Sequence, residues 1–224
     1  ITSFKSDEII RIGLNTENTA LLVGLIDSDP ERQGDVIKSD TTIYNDLHYL
    51  RIASQGDEKN TDRYILIGSV DKQITLWKEL VKYVTPVGTS VWELLDIQAA
   101  YPWITTQTTQ KFLPQILNMD LIDGLDYQKG CYPGQEIIAR LHFRGQLKCS
   151  VHLATCALES CPESGNQILV KNEQIVGTVI NAQASQDESY LLAVIDNDSI
   201  ENKLSLRSPG APELSLHRLP YGKK

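Results

Sequence analysis

Apolar and polar positions divide the chain into stretches of different texture. Residues 9–14 (IIRIGL) read as a short strand, and Asn15, Thr16 and Glu17 read as the start of a helix. The apolar continuation at residues 20–26 is too uniform for a solvent-facing helix, so it is expected to pack against a sheet. Residues 27–34 (DSDPERQG) form a loop by their Asp, Pro and Gly content. Two β-prone runs follow at 49–53 and 64–68, with the polar residues 55–62 between them as a hairpin connection or exposed loop. From Asp71 the period lengthens: Ile74, Trp77, Leu80, Val81 and Val84 recur at helical spacing, which predicts a core-facing helix capped by Asp71 and ended before Pro86. In that stripe Trp77 is a packing residue, not a ligand contact. Residues 89–100 predict another helix. Strand, helix, strands, helix is the order of an α+β layer, with helices on one face of a mainly antiparallel sheet.

After Gly145 the texture changes to six short β-prone runs, at 148–157, 167–171, 175–181, 190–195, 203–207 and 214–219. Short connections at 172–173, 185–188 and 208–210 separate them, the pattern of a small barrel or sandwich. This predicts two domains, residues 1–144 and 145–224.

Composition narrows the function classes. The 224 residues are 41% hydrophobic and 22% charged, as in ordinary globular proteins. With 21 basic and 29 acidic residues the formal charge is −8, so a whole-chain basic footprint for direct nucleic-acid binding is missing. Lys129, Arg140, Arg144 and Lys148 nonetheless make a local basic island, which suits either a carboxylate-bearing ligand or plain solvated surface. The longest apolar run, residues 20–26, is too short to cross a bilayer, and no signal peptide is evident. The first residue is Ile1, which suggests a processed form or a fragment. Cys131, Cys149, Cys156 and Cys161 contain no CxxC pair, and His142 and His152, both in expected strands, match no ligand spacing, so no metal site is expected. Free thiols in a reducing cytoplasm are the simplest account.

Chemistry concentrates at residues 129–144, KGCYPGQEIIARLHFR. Gly130 and Gly134 bracket Cys131, and Pro133 pre-sets one dihedral, which makes a tight turn. Glu136 to Arg140 then has an acidic first turn and a basic end, as a helix dipole favours. Cys131 ahead of the free N–H groups of a helix start, with Lys129 two residues away, is placed to favour thiolate, the form that acts as nucleophile or metal ligand. The alternative is a small buried hydrophobe.

The run KGCYPGQE resembles the KGCYxGQE signature of the YgfZ-type folate-binding proteins, relatives of the glycine-cleavage aminomethyltransferase associated with iron–sulfur protein maintenance and tRNA modification. The resemblance extends diffusely over residues 9–221 and is dense between Trp92 and Arg144. It implies a partial aminomethyltransferase-like folate-binding domain followed by a small C-terminal β-barrel. In that family a tryptophan matching Trp92 lines the folate pocket, where an indole face can stack on a flat pterin; a core position suits Trp92 equally. Residues 112–119 (FLPQILNM) resemble the family's Pro-Gln-x-x-Asn-Leu segment, with Met119 in place of leucine. Gln115 and Asn118 there offer amides to a pterin edge, or satisfy local backbone groups. By resemblance Tyr132, Glu136, Arg140 and Arg144 complete the tetrahydrofolate contacts, and Cys131 with Lys129 carries the chemistry. Full-length relatives have a further N-terminal segment, with a catalytic aspartate in true aminomethyltransferases, and this chain is expected to begin after it.

Three functions follow. The favoured one is a folate-dependent accessory factor whose clients are iron–sulfur proteins or tRNA-modifying enzymes, with Cys131 presenting a thiolate to a one-carbon unit, to iron or to cluster sulfur. The second is an aminomethyltransferase moving a one-carbon unit from a lipoyl-bound amine to tetrahydrofolate. The third is a folate-fold scaffold with no reaction of its own.

Overall fold

The computed structural model describes residues 9–16, 41–44, 47–52, 62–157, 161–170, 173–207 and 213–221, and the chain divides into two compact units, Ile1–Gly88 and Thr89–Lys224. The apolar run 20–26, the loop 27–34, most of the polar stretch 55–62 and the turn 208–210 lie outside the described residues.

In the first unit, strands β1 (Ile9–Thr16), β2 (Thr41–Tyr44), β3 (Leu47–Ile52) and β4 (Asp62–Ser69) form an antiparallel sheet ordered β1-β4-β3-β2. Asn15 and Thr16 pair with Arg63 and Asp62, so the helix start expected there is instead the end of β1: the ladder claims their backbone groups. Helix α1 (Val70–Leu80) packs on β1 and β4 over a core of Leu14, Leu47, Tyr49, Tyr64, Leu66, Leu76 and Leu80. Its N-cap is Ser69, and Asp71 falls in the first turn rather than at the cap.

The buried face of α1 is also rotated from the expected one. Gln73, Leu76 and Leu80 face inward, whereas Ile74, Trp77 and Val81 are exposed. Gln73 is only 1% exposed because its Nε2 donates to Leu66 O at 2.9 Å, which lets a polar side chain enter the core.

The second unit begins with α2 (Thr89–Gln98), continues through turns to α3 (Gln135–Arg144), and ends in six strands. These are β5 (Cys149–Ala157), β6 (Gln167–Leu169), β7 (Ile175–Ala184), β8 (Glu188–Asp196), β9 (Ser205–Leu206) and β10 (Ser215–His217), one for each β-prone run. They form a single antiparallel sheet ordered β10-β5-β8-β7-β6-β9. An isolated bridge between Ser205 and Glu213, with Leu214 N–H donating to Leu204 O at 2.8 Å, brings the segments at its two ends together.

Both faces of this sheet are covered. Ala154, Cys156, Leu191, Ala193 and Ile195 point to one side, where Ile168, Val176, Val179, Leu204, Leu206 and Leu214 join them. Val151, Leu153, Leu192 and Val194 point to the other, under Ile97 and Ala100 from the end of α2 and Leu117 from the turn segment. Val151 N–H donates to Ile116 O at 3.0 Å, so residues 112–122 run along β5. The change of texture at Gly145 therefore falls within one compact unit.

Candidate functional site

Gly134 adopts φ 83, a left-handed conformation that glycine tolerates, and stands at the N-cap of α3. Tyr132 N–H donates to Gln135 Oε1 at 3.2 Å and Gln135 N–H donates back to Tyr132 O at 3.3 Å, so the turn is locked across its own neck. Cys131 precedes this lock as an exposed free thiol. The Lys129 ammonium sits 4.7 Å over the Tyr132 ring, a cation–π contact on the same surface.

Among its described side chains helix α3 contributes no buried residue. Ile137 is 56% exposed and Phe143 73% exposed, and Glu136 and Arg140 also face solvent. Two contacts dock the helix. Gln115, 2% exposed, donates from Nε2 to Ile138 O at 2.7 Å, and Tyr127 stacks on His142 with ring centroids 3.8 Å apart and planes 20° from parallel. His142 in turn meets Phe143 edge-on. His142 thus lies in a helix, not the strand expected for it, because α3 runs on through Leu141–Arg144 before Gly145 stops it; His152 is in β5 as expected.

Burial and the nearby Asp120 push the Tyr127 phenol above its ordinary value, and Gln115 pulls the other way. Neither Gln115 Oε1 nor Tyr127 OH has a hydrogen-bond partner of good geometry among the described residues. Two such atoms behind the signature turn are where a ligand or a water would be expected to bind.

Asn118 has a different role. It is 4% exposed with φ 56, and its Nδ2 donates to Val151 O at 3.1 Å and to Tyr221 OH at 3.4 Å; Tyr221 OH donates on to Ala100 O at 3.1 Å. The amide nitrogen is committed to holding the turn segment, β5 and the C-terminal tyrosine together. Trp92 is half-buried on α2 and is engaged in an interaction of its own. The structure thus gathers Lys129 with Tyr132 and Gln115 with α3, while Asn118 serves the scaffold. Sequence reasoning missed Tyr127 and His142; their 15-residue separation hides a contact made only when the signature folds back as turn plus helix.

Two of the other thiols, Cys149 and Cys156, are less available. Burial, aided by Asp196, raises the Cys149 thiol, and burial with Cys161 and Glu188 raises that of Cys156. Among the described residues no group of three His, Cys, Asp or Glu could hold a metal ion, and no helix is long and apolar enough to cross a membrane.

No family model matches the chain. Individual relatives do. The tRNA-modifying protein YgfZ of Pectobacterium carotovorum is 31% identical over 165 residues, covering 71% of this chain and 50% of that protein. Those of Serratia proteamaculans and Escherichia coli are each 27% identical over 99% of this chain and 66% of theirs. The chain thus spans between half and two thirds of the length of these relatives. Among solved structures, the glycine cleavage system aminomethyltransferase T from Bartonella henselae superposes with a TM-score of 0.66 at 14% identity, covering 94% of this chain and 59% of that one. Sequence and fold agree: the chain is similar in sequence to the tRNA-modifying YgfZ proteins over almost all of its length and shares the fold of the aminomethyltransferase.

Proposed function

We propose that the chain is part of a cytoplasmic folate-binding accessory protein that acts in tRNA modification, in iron–sulfur protein maintenance, or in both. Its clients are then iron–sulfur proteins or tRNA-modifying enzymes. Cys131 is the working thiol and Lys129 its cationic neighbour. The observation that carries this reading is the exposure of the Cys131 thiol on a turn whose backbone Gly134 and the Tyr132–Gln135 pair hold fixed. The relatives' description as tRNA-modifying proteins supplies the biological setting.

Tetrahydrofolate fits part of the expected contact set. The unpartnered Gln115 Oε1 can accept from a pterin N–H, the Trp92 indole can stack on a flat ring, and Tyr132, Glu136, Arg140 and Arg144 belong to the signature segment from which the remaining contacts are expected. Asn118 drops out, since its amide nitrogen is already engaged. Bound tetrahydrofolate would supply a carrier for a one-carbon unit; this chain's residues hold and orient it. The Ser205–Glu213 bridge supports reading residues 145–224 as a small barrel, with residues 1–144 as the folate-binding part.

Calorimetric titration of the full-length protein with tetrahydrofolate tests the reading. Binding that weakens several-fold in Gln115→Ala and persists in Cys131→Ser is expected; absence of binding in the parent protein defeats it. The fold favours one rival, the aminomethyltransferase, and turnover of an aminomethyl-lipoyl carrier by the same protein would decide for it.

A further inference from the structure

Trp103 is 54% exposed, and Ile104 beside it is 48% exposed. The residue is nevertheless held by two partners, one on its backbone and one on its ring. Its backbone N–H donates to Asn181 Oδ1 at 2.7 Å, and Asn181 Nδ2 donates back to Trp103 O at 3.0 Å, a two-point clamp across 78 residues. Its indole Nε1–H donates to Asp96 Oδ2 at 2.8 Å, and Asp96 is a carboxylate only 4% exposed.

The sheet is shaped for this clamp. β7 pairs Val179 with Ala193 and then Asn181 with Leu192, so Ile180 is an inserted residue and the register shifts at Asn181. Such bulges re-aim side chains, and here the re-aimed side chain meets Trp103. On the other side of the turn, α2 ends in a left-handed Ala100 with Tyr101 N–H donating to Asp96 O at 2.9 Å, so the chain two residues before Trp103 is tied back to Asp96. A tryptophan fixed in this way and left in solvent has its ordering cost settled before anything binds.

We propose that Trp103 is a preformed platform for an arginine side chain on a basic segment of a partner protein. The indole N–H is already used, so recognition falls to the ring face. The carboxylate on that N–H enriches the ring, and an enriched ring face prefers a planar cation. Charge points the same way: the chain carries −8, and α2 adds the exposed Glu93 one turn before Asp96. That balance attracts a basic segment and repels a phosphate backbone.

The test uses the full-length protein with three fluorescein-labelled probes at low salt: nona-arginine, nona-lysine and a nine-residue oligouridylate. The parent protein is expected to bind nona-arginine at least about threefold more tightly than nona-lysine, the scale of an exposed cation–π contact. Trp103→Ala abolishes that preference while circular dichroism shows the fold retained, Trp77→Ala retains it, and Asp96→Asn, which keeps an acceptor but removes the charge, reduces it. The proposal is overturned if neither peptide binds, if the parent protein shows no preference, or if Trp103→Ala leaves the preference intact. It is equally overturned if oligouridylate binds more tightly than nona-arginine and loses that affinity in Trp103→Ala, which would assign the ring to a nucleobase.

Discussion

Strands β5, β7 and β8 and helix α3 belong to one compact unit and are held by opposite means. The strands bury side chains on both faces, with Ile180, Leu191, Leu192, Ala193 and Ile195 fully enclosed. Helix α3 encloses none of its described side chains, and a left-handed glycine, the buried Gln115 amide and the Tyr127–His142 stack hold it. Burial supplies free energy in proportion to area, whereas directional contacts supply position at little net energy. The segment carrying Cys131 is therefore placed accurately without being part of what keeps the unit folded.

The largest effect expected from this contrast is in the sheet. Leu192→Ala should destabilise by about 2–5 kcal/mol in urea unfolding, while Ile137→Ala on α3 should stay within about 0.5 kcal/mol. Equal costs would erase the distinction. Next comes Asn118→Ala, which strands the Val151 carbonyl and loosens Tyr221, at about 1–3 kcal/mol. Gly134→Ala forces an L-residue to φ 83 and should cost about 1–2 kcal/mol.

Alkaline pH sharpens the comparison from another side. Burial raises the Tyr221 phenol, with Asn118 opposing and Tyr101 and Asp120 adding to the rise. A group raised in the folded state stabilises it below the unfolded value near 10 and ceases to as pH climbs through the folded value. The melting temperature should fall above about pH 10, and less steeply in Tyr221→Phe. Tyr127 and Tyr190 are raised too, so part of the slope remains. The smallest effect concerns the thiol itself. Cys131→Ser should change stability by under about 0.5 kcal/mol. In a timed thiol-reagent assay it should remove one of two fast-reacting cysteines, leaving Cys161, with Cys149 slower and Cys156 reacting only on unfolding.

Strands were legible because alternation and turn residues are local: each of the six runs after Gly145 became a strand. The helix faces were harder. Counting apolar residues on α1 selects Ile74, Trp77 and Val81, yet the core takes Gln73, whose amide nitrogen finds an acceptor on β4. At the candidate site, the turn at Gly134 and the helix after it could be read from glycine, proline and charge order. The ties of Gln115 to Ile138 and Asn118 to Val151 could not, since each joins residues more than 20 positions apart and neither pattern nor propensity carries that information.

The meeting of Ser205 with Glu213 bears on how the chain behaves in a crowd. A sheet ordinarily leaves unpaired amides along its outermost strands, ready to recruit a strand from a neighbouring molecule. Here Leu214 N–H and Leu204 O satisfy each other, so at that one point an outer strand of the second sheet is already paired within the chain. A strand from another molecule would have to displace that bond before it could add to the sheet there.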